Sequence, residues 1–477
     1  MQNNTETIFL RDVFDRQAKN QWAVARSTAT ERIVKLKRLH DAMLRYQADI
    51  QQALWSDLRK GQTEVDITEI STTNSEIRFT IKRLRTWMAT KHVGAPMALF
   101  GSRSEIRYEP KGVCLIISPW NFPVLLTIGP LASAIAAGNC VVVKPSEHAP
   151  ATAAVMRRMV TELFSPEEVC LVEGDAEVAQ ALLAMPFNHI FFTGSPQIGK
   201  IVMEAAAKHL SSVTLELGGK NPVIVDETAD LDWTAGQLAW FKGMNAGQSC
   251  VEPDYVLVHA NVHDALLAKT AQAVEKLYGA TPEARQSSPD LCRLIHQRHF
   301  ERAKHYMDDA VAKGAHITFG GRTDAAERYL ETTLLQDVPD EAELWSDELF
   351  SPLLPFRTYQ TPDEAIAFVQ QHPRPLAFYI FSRNQQNIKR LIQHSRAGTT
   401  VVNDIALQFY NSELPFGGVN YSGIGKGHGH FAFLEFSNAR AIVRQNSWLP
   451  VTRFFRPPYV QHSFWVKWLI RALTRWL

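Results

Sequence analysis

Cysteine is scarce in this chain of 477 residues: there are five, an odd number and far too few for a disulfide framework. Reduced thiols in a cytoplasmic setting are the expectation. An excess of either charge is also missing. Lys and Arg number 50 against 49 Asp and Glu, a formal net charge of +1, so no basic field exists to hold nucleic acid by counterion release. No nucleic-acid partner is expected. The opening residues, MQNNTETIFLRDVFDRQ, lack a basic segment followed by an apolar one, and no signal peptide is read. Metal and triphosphate signatures are absent as well: there is no HExxH, no CxxC and no GxxxxGK[ST].

With 21% charged and 45% hydrophobic residues, disordered, collagen-like and coiled-coil classes do not fit. At about 100–200 residues per domain, the length predicts two or three domains with cores of their own. Two stretches stand apart. Residues 113–143 run for 31 positions without Asp, Glu, Lys, Arg or His, long enough for a bilayer span on length alone. The last 14 residues, FWVKWLIRALTRWL, hold three of the 11 tryptophans.

The uncharged stretch breaks up on reading. Val113 to Ile117 reads as a fully buried strand, SPWNFP carries two prolines, and Val124 to Ala137 is an apolar helix interrupted by Gly129 and Pro130. Gly138 and Asn139 end that helix, and a second buried strand starts at Cys140. Strand, loop, helix, strand is a βαβ unit, not a span. The alternation continues with strands near Val169–Glu173, His189–Thr193 and Val213–Leu217 and helices near Ala176–Ala184 and Gln197–His209, which predicts an open α/β nucleotide-binding arrangement. A second alternating region follows Gly218-Gly219, with strands at Val223–Val225, Tyr255–Val258 and Ala377–Phe381. Residues 7–92 read as helical, with Ile33, Leu36, Leu39, Met43 and Tyr46 at three- and four-residue spacings. Ser102 to Pro110 reads as a half-exposed strand that a late strand, Arg440–Arg444, can pair near Ile106.

Several residues carry chemistry. In FFTGSPQIGK, Gly194 and Ser195 lie at a strand end and Gly199 inside the next helix, a geometry that sets backbone N–H groups near a pyrophosphate. A plain βα turn is the alternative. Lys144 and Glu147 follow a buried strand, where doubly wound folds bind ligands; a solvated loop is the alternative. Cys250, in NAGQSCVEP, has the one polar, loop-like cysteine setting suited to a reactive thiolate, whereas Cys114, Cys140 and Cys170 sit in strand patterns. Glu216, in TLELGGK, is a carboxylate on an apolar strand, a general base with a raised pKa or one half of an ion pair to Lys220. Cys292, His296 and His299 share a helical face with metal-capable spacing, but an amphipathic helix with ordinary histidines is the favoured reading; no metal is expected.

Taken in order, SPWNFP (118–123), KPSE (144–147), FTGSxxxGK from Phe192, ELGGKNP from Glu216, GQSC ending at Cys250, ELF (348–350) and PFGGVNYSG (415–423) resemble the NAD(P)-dependent aldehyde dehydrogenase superfamily. PDY after the GQSC cysteine, RHF at 298–300 and RPPY at 456–459 resemble its class 3 branch, which includes fatty and aromatic aldehyde dehydrogenases. The resemblance implies an α/β fold with a Rossmann-type cofactor domain (1–87 and 111–217), an α/β catalytic domain (218–402), a small bridging and oligomerisation sheet (88–110 and 403–446) and a C-terminal tail (447–477). It implies Cys250 as nucleophile, Asn121 as oxyanion donor and Glu216 as the base that activates water. NAD, and NADP as a second possibility, would be held by Trp120, Lys144, Glu147, Thr193, Gly194, Ser195, Gly199, Glu348 and Phe350. A homodimer and an aldehyde substrate are implied. The sequence departs from the family at Ser351 and Asn420, each in place of Gly, and at Gly427 in place of Tyr.

Alternatives within and outside enzymes are a coenzyme A-acylating dehydrogenase, which Glu216 argues against, and an inactive membrane-associated scaffold, which the Asn121, Glu216 and Cys250 set argues against. In the tail, Lys467, Arg471 and Arg475 form a basic stripe against Trp465, Trp468, Leu469, Ile470, Leu473 and Trp476. Residues 464–477 are too short to span a bilayer, which needs about 20. They predict either a helix packed on a partner or over the substrate entrance, or a peripheral anchor on the inner membrane surface.

Overall fold

The computed structural model describes residues 2–96, 99, 101–445, 456–457, 464, 467–468 and 471. Its centre is a six-stranded sheet ordered Gly423–Ile424, Ser212–Leu217, His189–Gly194, Val113–Ile117, Cys140–Lys144 and Val169–Leu171. Five of these strands are parallel, and only the short Gly423–Ile424 strand runs antiparallel, with Gly423 opposite Glu216. Both strands of the 31-residue uncharged run are buried along their whole length, with Val113 opposite Cys140. The helix between them, Leu125–Ala137, continues through Gly129 and Pro130, where the sequence predicted an interruption. It ends at Gly138, whose φ of 90° is left-handed and whose absent side chain makes room for the Arg32 guanidinium.

A second, seven-stranded sheet is ordered His316–Phe319, Thr333–Gln336, Leu353–Tyr359, Tyr255–His259, Pro222–Val225, Ala377–Phe381 and Thr399–Val402. All its pairs but the first are parallel. The predicted strands of both sheets match within two residues at each end. A third sheet pairs Lys91–Val93, Ser102–Pro110 and Ser437–Gln445, all antiparallel, with Ile106 opposite Ala441 as the sequence predicted.

Helices of the first 90 residues cover both faces of the central sheet: Gln2–Ala25 packs on the side of Val113, Leu115 and Val142, and the helices from Ala29 to Trp87 belong to the core on the side of Cys114, Ile116 and Val141. The helix Ala29–Arg45 starts with a reciprocal cap in which the Glu31 amide donates to Thr28 Oγ1 (3.3 Å) and the Thr28 amide to Glu31 Oε2 (2.7 Å). It buries Leu36, Leu39 and Met43, three of the five positions picked out by spacing, and half-buries Ile33 and Tyr46. No helix of the described residues is long and apolar enough to cross a membrane. Of residues 464–477, Phe464, Lys467, Trp468 and Arg471 are described and helical. The remaining tail positions singled out by sequence, Trp465, Leu469, Ile470, Leu473, Arg475 and Trp476, lie outside the described residues.

Candidate active site

Cys250 ends a loop of strained backbone. The helix Leu231–Gly243 runs into a tight turn in which Asn245, Ala246 and Gly247 are all left-handed, with φ of 49°, 52° and 69°. For a residue with a Cβ this costs about 1–2 kcal/mol, so the surroundings must enforce it. The Asn245 amide donates to Glu64 Oε1 (2.9 Å), and its side chain donates to the carbonyls of Asn121 and Gln248, both at 2.9 Å. Gln248 in turn holds the carbonyls of Asn245 and Arg293 and receives the Ile295 amide. Gly247 is obligatory, because a Cβ there would lie 2.4 Å from the Ser351 carbonyl. Beyond the turn, the Cys250 carbonyl accepts from the Asn221 side chain at 2.8 Å.

Asn121 approaches from the other sheet, in the loop after Val113–Ile117. It is buried, and its Nδ2 donates to the Gln248 carbonyl at 3.1 Å, two residues before the cysteine. One N–H of that amide remains for another acceptor. Glu216 lies on Ser212–Leu217, separated from Val113–Ile117 by the strand His189–Gly194, where it is opposite Thr193, and it is 8% exposed. Neither carboxylate oxygen has a hydrogen-bond partner among the described side chains and backbone. Burial pushes its pKa up to about 8, with the Lys426 ammonium pulling the other way. The ion pair to Lys220 raised by the sequence does not form. Gly218 and Gly219 carry the chain to the second sheet, and Lys220 instead binds Asp254 and the carbonyls of Leu344 and Asp347.

Cys250, Asn121 and Glu216 open together onto one cleft of about 880 Å³. Its walls include Trp120, Thr193, Gly194, Ser195, Glu348 and Phe350. Ser195 is the cap of the helix Pro196–Ala207, its Oγ accepting the Ile198 amide at 3.4 Å. Across the cleft the rings of Trp120 and Phe350 meet edge to face, centroids 5.4 Å apart. On the opposite side of Cys250 lies a small apolar chamber of about 30 Å³, lined by Phe122, Leu125, Phe241, Met244, Phe409 and Tyr410. A thiol between a large cleft and a small apolar chamber, with a buried carboxylate and an amide beside it, is an arrangement that can attack a carbonyl and then deliver water to the adduct.

The model of the Aldehyde dehydrogenase family matches residues 11–442. The chain belongs to the aldehyde dehydrogenase family. It is therefore an oxidoreductase that acts on aldehydes. It is 41% identical over 425 residues to the 4,4'-diaponeurosporen-aldehyde dehydrogenase of Staphylococcus aureus, covering 89% of this chain and 91% of that one. It is 38% identical over 449 residues to aldehyde dehydrogenase family 3 member B1 of Rattus norvegicus, covering 94% of each. These relatives are consistent with the class 3-like branch. Among solved structures, the substrate-bound state of Staphylococcus aureus AldH superposes with a TM-score of 0.92 at 38% identity, covering 96% of this chain and 99% of that one.

Not every residue singled out for the dehydrogenase site reaches the cleft. Gly199 packs behind it, where a Cβ would lie 2.9 Å from the Leu217 side chain, so it lets helix and strand approach. Lys144 and Glu147 bind each other at 2.8 Å and do not line the cleft, although the next residue, His148, does. Conversely, His296 and His299, singled out in the sequence only for metal-capable spacing, line the cleft, together with Gln297, Arg298 and Arg302, which the sequence does not place at the site. Their segment had been read as a helical face starting at Cys292. The helix starts only at Gln297, with His296 as its cap, so Cys292 is not on that face; its thiol contacts Glu64 at 3.7 Å. His299 instead bonds the Phe350 carbonyl at 2.8 Å, and burial lowers its pKa to about 3. Among the described residues no cluster of His, Cys, Asp and Glu is arranged to hold a metal.

Two further findings modify expectation. Cys250 is not in a thiolate-favouring setting as it stands: burial raises its pKa, and the nearby Glu348 and Glu216 carboxyls raise it further. The three departures from the family pattern also have distinct structural outcomes. Asn420 takes φ of 57°, which Asn tolerates. Ser351 is fully buried, and its Oγ has no partner among the described residues. Gly427 lies against Glu216, where a Cβ would come within 2.9 Å of Oε1.

Proposed function

We propose that this chain catalyses NAD(P)-dependent oxidation of a medium- or long-chain aliphatic or an aromatic aldehyde to the carboxylic acid. The observation that carries the reading is the meeting of Cys250, Asn121 and Glu216 in the large cleft, with Cys250 also lining the apolar chamber. The cleft fits a nicotinamide dinucleotide. Glu348 has a buried oxygen without a partner among the described residues, suited to ribose hydroxyls, and Gly218 leaves no room for a side chain before it. Gly194, Ser195 and the helix that follows present backbone N–H groups for a pyrophosphate. When bound, the cofactor supplies the hydride acceptor.

The protein's part is covalent and acid–base. The Cys250 thiol gives up its proton to water of the cleft, the thiolate sulfur bonds to the aldehyde carbon as the C=O π pair moves onto oxygen, and the oxyanion that develops is met by the free N–H of Asn121 and the Cys250 amide. After oxidation the acyl group is a thioester on Cys250. Glu216, ionised, takes a proton from water; the resulting hydroxide adds to the thioester carbon, and the C–S bond breaks to give acid and thiol. The apolar lining of the chamber supports a hydrophobic chain, and the aldehyde named for one relative, 4,4'-diaponeurosporen-aldehyde, is a candidate for that class. The three-stranded sheet leaves Ser437–Gln445 as a largely exposed edge strand, which suits pairing with a second copy of the chain.

Two variants test this reading. Cys250→Ala should lose at least about 1000-fold in aldehyde oxidation. Glu216→Gln should give a rapid burst of one equivalent of reduced cofactor and then stall, with acyl-enzyme visible by mass spectrometry. Wild-type turnover in either variant would sink the mechanism, and acyl-coenzyme A as product would move the chain to the acylating class.

A further inference from the structure

The backbone of both site loops is held by one short segment that touches none of the reacting groups. Lys60 follows the helix Gln47–Leu58, and Glu69 lies in a π-helical turn, Asp66–Ser71. Both side chains are fully buried and bind each other at 2.9 Å. The Lys60 ammonium also donates to the Asn121 carbonyl at 3.1 Å and sits 4.2 Å from the Phe122 ring centroid. The second oxygen of Glu69 accepts the amides of Val124 (3.1 Å) and Leu125 (2.9 Å). Those amides begin the helix Leu125–Ala137, which has no side-chain cap of its own. Between the two, Glu64 receives the Asn245 amide at 2.9 Å and so closes the left-handed turn before Cys250.

A buried ion pair is a poor way to gain stability, because apolar replacements of similar volume are often neutral or better. Here each partner reserves a further hydrogen bond for a site loop, and neither has any other role visible in the fold. A misplacement of about 1 Å at a reacting group can cost about 100-fold in rate.

We propose that Lys60, Glu64 and Glu69 are positioning residues that fix the Asn121 amide relative to the Cys250 loop. The proposal rests on the reading of Asn121 as oxyanion donor given above. It assigns the segment a part in acylation, and none in cofactor binding.

The test is a double-mutant cycle on the full-length enzyme. Lys60→Met with Glu69→Gln, which keeps the site neutral, is made in the wild-type and in the Asn121→Ala background. Acylation is followed as the pre-steady-state burst rate, cofactor affinity by tryptophan quenching, and folding by thermal melting. In the wild-type background the burst should slow by about 10–100-fold with cofactor Kd within about twofold. In the Asn121→Ala background the same change should cost less than about threefold, because the group it positions is gone. An equal cost in both backgrounds, or an unchanged burst in the wild-type background, overturns the positioning role while leaving the Asn121 reading intact. A wild-type burst in Asn121→Ala alone overturns that reading and this proposal with it. If the paired variant does not fold, Glu64→Ala, at a half-buried position, probes the same clamp from the cysteine side. It must show the same slowed burst and the same dependence on Asn121, and a wild-type burst counts against the proposal.

Discussion

The two sides of Cys250 differ in almost every physical respect. Toward the dinucleotide-sized cleft, about 880 Å³ is walled by rings, two buried carboxyl groups and a helix N-terminus. Toward the other side, about 30 Å³ is walled by Phe, Leu, Met and Tyr side chains. That volume holds at most a water or two. The contrast assigns labour. In the mechanism proposed above, charge, proton transfer and water belong on the first side, and the carbon chain of the aldehyde on the second. A long chain enters the second side only by moving its lining, of which Tyr410, 46% exposed, is the outermost part.

Three measurements test how separate the sides are. The largest effect is expected from Gly218→Ala, whose Cβ would lie 2.1 Å from Glu348 Oε2. Displacing that carboxyl should raise the KM for the cofactor by about 10–100-fold while leaving the KM for the aldehyde unchanged. Parallel rises in both constants would mean that the sides are coupled. Next, Phe409→Ala removes a ring that packs on Phe416 and His428, with centroids 4.9 and 4.5 Å away. It should shift the ratio of kcat/KM for bulky over short aldehydes by about tenfold, with cofactor KM unmoved; an unchanged ratio would take the substrate away from this chamber.

The smallest effect concerns stability. The folded pKa of Glu216, about 8, lies above its ordinary value of 4.5. The folded state therefore holds this proton more tightly than the unfolded one. Its stabilising contribution is complete below about pH 4.5 and is lost as pH rises to about 8. Glu216→Gln, which does not ionise, should melt close to wild type near pH 4.5 and about 1–3 °C higher at pH 8 and above. A difference that is constant with pH would mean that water from the cleft already solvates the carboxylate.

Much of the frame was legible because parallel strands covered on both faces must be apolar throughout. Val113–Ile117 and Ala377–Phe381 match their predicted limits, and Cys140–Lys144 and His189–Gly194 do so within one residue. Cys250 was legible for the opposite reason, as the cysteine set in a polar loop. What failed were inferences that presumed a local conformation. Cys292, His296 and His299 share a face only if the chain between them is helical, and it is not. Lys220 neighbours Glu216 in sequence, but two glycines turn the chain away between the sheets and Lys220 binds Asp254 instead. Lys60, Glu64 and Glu69 were invisible for a further reason. Charged residues in a helical region read as a solvated face, and their burial depends on loops 55 to 181 positions away.

The sheet order has a consequence for how the chain is made. The apolar strand Val113–Ile117 lies between Cys140–Lys144 and His189–Gly194. One neighbour is synthesised almost at once; the other comes only after the ribosome has passed residue 189. At about 5–20 residues per second, the emerging polypeptide carries an open edge on that strand for several seconds. During that interval a chaperone, or the amphipathic helices already made from the first 90 residues, must shield the segment whose loop later carries Asn121.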